Sequence, residues 1–351
     1  MKVLVIQNKM IGDVLASTVI CEALKKQHND WEIHYMIQPN TLPVIENNKF
    51  IDKIILFEAK KNKGFRKLIE YGLVLKKEKY DAVIDAYGKW QSSIPSYFSG
   101  AKIRIGFKKW YTSFLYSDTV IPKKNVDGEA IYHRLQLANV LSKDIDKELF
   151  PKIYLTLDEI EIAKKSISKS FNSAIPMIMI SVLGSDYNKS FPAKYMSQIL
   201  DNIVEQMQEV QLLFNFMPNQ EAEARAIYNI CKPETQKKIS IDFYTKSLRS
   251  FLAVLSQCDA LIGNEGGAVN MSKALNINTF TIFSPWINKS SWNIKNDDKN
   301  HVAVHLEDYF PEIYNGKHPK KFKKDALKLY EKLNPNLFLE KLNSFISRIK
   351  I

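Results

Sequence analysis

Residues 261–275 read LIGNEGGAVNMSKAL. A short apolar strand, LIGN, runs into a turn carrying Gly263, Gly266 and Gly267 and then directly into an apolar helix. Glycine lets such a turn take a positive φ or bring its backbone close to a ligand. The helix that follows turns its unpaired N–H groups and the positive end of its dipole toward the turn. The segment is therefore a candidate anion site of the kind that accepts diphosphates. After only Asn276-Ile277-Asn278 a second strand, TFTIFSP at 279–285, follows, which completes a βαβ unit and places this part of the chain in a parallel sheet. An ordinary βα turn without a ligand has the same local chemistry and is the alternative reading.

The same alternation extends in both directions. VLVI at 3–6, WEIHYMI at 31–37, KIILFE at 53–58 and DAVIDAY at 81–87 read as strands, with helices over 14–27 and 65–80 between them. A basic aromatic stretch, AKIRIGFKKWYTSFLY, occupies 101–116, and residues 152–171 read as a boundary strand and a helix leading into a second unit. There PMIMISVLG at 176–184, QLLFNF at 211–216 and KISIDFY at 238–244 alternate with helices over 193–208, 220–231 and 247–258. Repeated βα units predict an α/β protein of two Rossmann-like, doubly wound parallel-sheet domains, 1–160 and 161–325. Such domains are expected to face one another across a cleft at the carboxyl ends of their strands, where ligands of these folds bind. Helices over 325–333 and 337–350, within a terminal segment 326–351, are expected to pack back on the first domain.

Bulk properties fit a soluble enzyme. A chain of 351 residues exceeds what one core usually serves. With 45% hydrophobic and 25% charged residues it is globular and not disordered. The net charge of +12 comes mostly from lysine, in pairs such as Lys25-Lys26 and Lys60-Lys61, which suits anionic surfaces or is simply a solvated basic exterior. Arginine is scarce and no nucleic-acid-binding signature is present, so nucleic acid is not an expected partner. Cys21, Cys231 and Cys258 are too scattered for a disulfide framework or a zinc site. The chain opens on a strand without a signal-peptide pattern and has no apolar run long enough to span a bilayer. A cytoplasmic protein, at most peripheral on a membrane, is expected.

The first turn carries the sharpest single candidate. In QNKMIGDV, residues 7–14, Gly12 turns the backbone and Asp13 falls at or beside the helix N-cap. A carboxylate at the end of the first strand could serve as a general base toward a hydroxyl. It could equally do no more than cap the helix. The turn lacks the GxGxxG fingerprint, which argues against a nicotinamide or flavin enzyme, and no cofactor is expected.

Three stretches in this order, VLVIQNKMIGDVLASTVICEAL at 3–24, GSDYNKSFPAKYMSQIL at 184–200 and GNEGGAVNMSKALNINTFTIFSP at 263–285, resemble glycosyltransferase family 9, the heptosyltransferases of lipopolysaccharide inner-core assembly. The resemblance covers nearly the whole chain. It implies the GT-B architecture and inverting, metal-independent transfer from a nucleotide sugar, usually ADP-heptose. It also implies an anionic glycolipid acceptor, met by peripheral contact at the cytoplasmic face of the inner membrane.

Carried over residue by residue, the resemblance makes Asp13 the catalytic base and Lys189 a contact of the donor phosphate, where it would meet the charge that grows on a departing nucleoside diphosphate. Ser185 and Asp186 share the loop of Lys189, and Glu221 stands where family members place an acid on the ribose hydroxyls. Where many relatives have an Asp-Ser/Thr-Gly turn followed by histidine, this chain has Glu265, Gly266, Gly267 and Asn270. The acid is kept in kind, and the hydroxyl and imidazole are lost. Asn270 can donate a hydrogen bond but cannot carry positive charge. The acceptor side is assigned to Lys102, Arg104, Lys108 and Lys109, cations mixed with aromatic rings, which could also be an ordinary basic loop. A transferase using another nucleotide sugar in surface-polysaccharide synthesis and a catalytically idle binding protein remain open as alternatives.

Overall fold

The computed structural model describes residues 1–123, 128–293 and 297–349 and divides them into two compact units. The first comprises Met1–Tyr154 together with a short segment beginning at Ser290; the second comprises Leu155–Lys289 and the C-terminal chain after that segment. Lys350, at the end of the expected last helix, lies outside the described residues.

The first unit holds strands β1 (Lys2–Ile6), β2 (Glu32–Ile37), β3 (Lys53–Leu56), β4 (Ala82–Asp85), β5 (Ile103–Phe107) and β6 (Asp118–Val120). They lie in the order β3-β2-β1-β4-β5-β6, every pairing parallel. The second unit holds β7 (Met177–Ser181), β8 (Gln211–Asn215), β9 (Ile239–Ser240), β10 (Ala260–Asn264), β11 (Asn278–Ile282) and β12 (His301–Val304). Their order is β12-β11-β10-β7-β8-β9, again all parallel. Counted within its own domain, each sheet has the winding 3-2-1-4-5-6 of dinucleotide-binding folds, with its switch point between the first and fourth strands.

The central strands read as continuous apolar runs because helices cover both faces of a parallel sheet. Val3, Leu4, Val5 and Ile6 are all fully buried, and so are Ile178 and Ile180. Both doubly wound sheets expected from the sequence are present. Strands β5, β6 and β12 were not anticipated: Ile103–Phe107 lies within the basic aromatic stretch, Asp118–Val120 is short and largely exposed, and His301–Val304 opens on a histidine.

Two expectations are corrected. Residues 152–156 form no strand; Thr156 instead caps the helix Leu157–Ile167, its hydroxyl accepting from Glu159 N while the Glu159 carboxylate accepts from Thr156 N at 2.7 Å. The terminal helices Ala326–Lys332 and Leu339–Ile346 join the core of the second unit, not the first. The reason is aromatic. Phe338 and Phe345 pack against Phe280, and Tyr330 and Phe338 against Phe191, while Asn343 accepts a hydrogen bond from Asn202 at 2.7 Å.

At the second switch point Gly263 faces Ser181 in register with φ of 132°, and a Cβ there would sit 2.4 Å from the Ser181 carbonyl oxygen. Gly263→Ala is expected to destabilise the protein by roughly 2–3 kcal/mol through strain and forced separation of β7 from β10. Urea unfolding measures this, and an unchanged midpoint would contradict so close an approach of the two strands.

Candidate active site

In the first domain the turn after β1 leads into the helix Ile11–Gln27, whose N-cap is Met10 and not Asp13. Asp13 is the third helical residue. Its Oδ2 accepts a long 3.4 Å bond from Met10 N, and its Oδ1 accepts from Arg134 Nη2 at 2.7 Å. Arg134 lies buried on the helix Glu129–Ala138. Its Nε donates to Ser17 Oγ at 2.7 Å, and that hydroxyl donates to the Asp13 carbonyl at 2.9 Å. The arginine thus fixes one carboxylate oxygen by a charge-assisted bond and leaves the other with only the weak amide contact.

Beside it, at the carboxyl end of β4, Asp85 is fully buried and accepts from Tyr87 N at 3.0 Å, Gly88 N at 2.8 Å and Tyr116 OH at 2.7 Å. Burial pushes its carboxyl above the usual range, against the pull of those donors. Lys109 reaches the same loop, its Nζ donating to Gly88 O at 2.8 Å. Burial lowers its pKa, with the charge of Asp85 opposing. Burial raises the Tyr87 phenol, and the charges of Asp13 and Asp85 add to the shift. Asp13, Tyr87, Asp85 and Lys109 therefore form one polar neighbourhood at the switch point of this sheet.

The four expected acceptor cations do not gather. Lys108 and Lys109 follow the carboxyl end of β5, whereas Lys102 precedes the strand and Arg104 is its second residue. Five residues of strand span about 17 Å, which puts the latter pair at the opposite edge from Asp13. Arg104 is moreover engaged in the fold, donating through Nε to Leu115 O at 3.0 Å and lying over the Tyr97 ring at 5.4 Å.

In the second domain the loop after β7 and the turn after β10 meet at the other switch point. Lys189 Nζ lies 3.2 Å from Glu265 Oε1, with both side chains largely buried. Burial raises the pKa of Glu265 and the lysine opposes that shift. The helix Gly267–Ala274 starts two residues on, with Gly266 as N-cap and no side-chain cap, so its first N–H groups remain available to an anion. Asn270 lies in its first turn, half-buried. Ser185 is exposed, and Asp186 caps its own loop by accepting from Asn188 N at 2.9 Å. Glu221 opens the helix after β8 and pairs with Arg225 at 2.9 Å. Its neighbour Gln220 ties that loop to the first, donating to Gly184 O at 2.8 Å.

Three residues that hold these groups were not singled out from sequence. Besides Arg134, buried Asn264 accepts from Phe191 N at 2.7 Å and donates to Ser181 O at 2.9 Å and Val182 O at 3.0 Å, which locks the Lys189 loop to both central strands. Trp286 donates to Asn188 O at 3.0 Å and presents its ring to Lys189 at 5.5 Å and to Lys323 at 4.8 Å. Only the position of Asn264, a polar residue closing an apolar strand in the opening motif, was a usable signal. Among the described residues no three His, Cys, Asp or Glu side chains gather as a metal site, and no helix is long and apolar enough to cross a membrane.

A family model described as "Glycosyltransferase family 9 (heptosyltransferase)" matches residues 70–311. Lipopolysaccharide heptosyltransferase 1 of Campylobacter coli is 24% identical over 293 residues, covering 81% of this chain and 84% of that protein. Among solved structures, the glycosyl transferase family 9 protein of Veillonella parvula superimposes with a TM-score of 0.74 at 17% identity, over 95% of this chain and 96% of that one. The ADP-heptose lps heptosyltransferase II of E. coli does so with a TM-score of 0.72 at 17% identity, over 99% of both chains.

The ring of Asp13, Arg134 and Ser17 should behave as one unit. Arg134→Ala is expected to cost about 1.5–3 kcal/mol of stability, the range for hydrogen bonds to charged groups. A double-mutant cycle with Asp13→Asn should return a coupling of about 1 kcal/mol or more; strictly additive effects would mean that the two side chains do not interact in solution.

Proposed function

This chain belongs to glycosyltransferase family 9 and is a glycosyltransferase, and on that premise we propose that it transfers heptose from ADP-heptose to an inner-core lipopolysaccharide acceptor, with inversion and without a metal ion. The observation that carries the reading is the Lys189–Glu265 pair at 3.2 Å, set beside the uncapped start of the helix Gly267–Ala274. A nucleoside diphosphate leaving group needs a cation and oriented N–H donors where its charge develops, and this corner of the second sheet supplies both.

In this scheme Asp13 Oδ2 takes the proton of the acceptor hydroxyl, while Arg134 holds Oδ1 and keeps the carboxylate in place. The hydroxyl oxygen attacks the anomeric carbon from the side opposite the diphosphate, so the configuration inverts. The breaking C–O bond leaves its electron pair on the diphosphate, where Lys189 and the helix N–H groups meet it. Glu221 serves the ribose hydroxyls, and Ser185 and Asn270 add neutral hydrogen bonds around donor and phosphate. On the acceptor side Lys108 and Lys109 remain, and the acceptor is an anionic glycolipid reached by a peripheral protein. Asn270 in the place of a histidine favours a second reading, another nucleotide sugar in surface-polysaccharide synthesis; a panel of ADP-, GDP- and UDP-sugars with the purified protein separates the two. No turnover of any donor would leave a binding protein.

Asp13→Asn keeps the amide contact and the shape of the side chain but removes its basicity, so transfer should fall by about 10² or more with donor affinity little changed. Wild-type turnover in that variant would remove Asp13 from its role. Lys189→Ala should weaken the nucleoside diphosphate by roughly tenfold or more in calorimetry, as expected for a lost charge-assisted contact, and EDTA should leave transfer unaffected. A Cβ at Gly267 would meet only the tip of Met271, at 4.0 Å, and the position is exposed, so Gly267→Val should fold normally yet lose the diphosphate by closing off its approach to the backbone. Normal binding by that variant would rule out the anion cradle.

A further inference from the structure

We propose that the loops after β3, β4 and β5 of the first domain form a docking surface for an anionic phospholipid bilayer. This deepens, and rests on, the reading of the acceptor as an anionic glycolipid. Four large apolar side chains stand out into solvent there: Trp110 is 94% exposed, Phe114 70%, Phe65 63% and Trp90 44%. They are one patch and not scattered residues. The Trp90 ring lies 6.2 Å from Phe114 and 5.9 Å from Tyr111, which in turn lies 5.4 Å from Trp110, while Phe65 and Trp90 line a single crevice with Leu68 and Ile94.

The crevice has a cause in the packing. Helices Phe65–Lys76 and Trp90–Phe98 press together at Gly72, where a Cβ would meet Phe98 Cβ at 2.5 Å, and the crevice opens between their first turns, where Phe65 and Trp90 stand out into solvent. Contiguous exposed aromatics on a soluble domain mark an interaction surface. Tryptophan favours the bilayer interface, where an apolar ring and a polar N–H are both accommodated.

Charge selects the partner. Residues 86–117 contain no Asp or Glu, and neither do residues 59–69. Lys63 and Lys67 flank Phe65, Lys89 precedes Trp90, and Lys108 stands two residues before Trp110, all exposed. Basic side chains around aromatic ones suit an anionic lipid face. The patch also lies at the carboxyl edge of the sheet that carries Asp13 after β1, so a sugar projecting from a lipid anchor in that bilayer is presented on the side of the base.

Full-length protein would be cosedimented with vesicles of phosphatidylethanolamine and phosphatidylglycerol, and with phosphatidylcholine alone. The wild type should bind the anionic vesicles, release from them as salt rises, and show tryptophan quenching by lipids brominated in the acyl chain. A Trp110→Ala/Phe114→Ala variant, which removes two largely exposed rings, should bind at least about tenfold more weakly yet transfer normally to a deacylated, water-soluble acceptor. Equal vesicle binding by that variant, equal binding to phosphatidylcholine, or no quenching in the wild type would overturn the proposal. So would wild-type protein that ignores vesicles while the variant raises KM only for an acylated acceptor, because the rings would then hold the acceptor's own chains. Vesicle binding that meets every expectation in a protein inert toward all sugar nucleotides would uphold the surface and sink the transferase chemistry.

Discussion

Strand order reverses beside one central strand in each sheet, and the candidate site residues gather at that reversal. Parallel crossovers are right-handed, so helices wound outward from β1 and β4, or from β7 and β10, lie on opposite faces of their sheet. Their first loops diverge and leave the carboxyl ends of the two strands uncovered. Asp13 and Asp85 stand at one such place, Lys189 and Glu265 at the other. The strands beneath are sealed from water on both faces, which makes these ends the natural position for charged groups in a sheet otherwise made of aliphatic side chains.

Positioning of the second place is layered. Asn264 ties Phe191 to both central strands through its amide. Phe191 is gripped in turn by Tyr330 and Phe338 of the terminal helices, and the Tyr330 hydroxyl donates to the Lys189 carbonyl at 3.2 Å. The C-terminal segment is therefore part of what holds the lysine loop. Its aromatic residues thus hold that loop as well as closing the core.

Much of this was legible in the sequence, for physical reasons that also mark where legibility ends. Doubly buried strands such as MIMIS and VLVI announce themselves because parallel sheets admit few polar side chains. Glycine announces the turn at 263–267 because few other residues tolerate its geometry. Glu265 stood out because it follows a strand directly, Asp13 because it lies at the opening of the first helix, and Lys189 only through the resemblance to the family. Arg134 was not legible, since its partner lies 121 positions away and an arginine inside an unremarked amphipathic helix has no local signature. Lys102 and Arg104 show the converse: only the five residues of β5 separate Lys102 from Lys108 in sequence, yet the two flank opposite ends of that strand. The terminal helices misled because an apolar stripe reveals that it will be buried without revealing against what. Phe338 and Phe345 found their ring partners in Phe191 and Phe280, a match invisible in any window of the chain.

The ion pair between Lys189 and Glu265 has a consequence for selectivity against the small anions of a living cell. An unpartnered lysine beside a helix N-terminus would attract inorganic phosphate or sulfate indiscriminately. Here the ammonium is paired with a buried carboxylate at 3.2 Å, so an ion that brings nothing but charge must compete with Glu265 for the same cation. A ligand carrying a base and a ribose as well has further contacts to offset that competition. On the proposed reading, occupancy would favour molecules large enough to reach beyond the pair, and free phosphate would compete poorly for it.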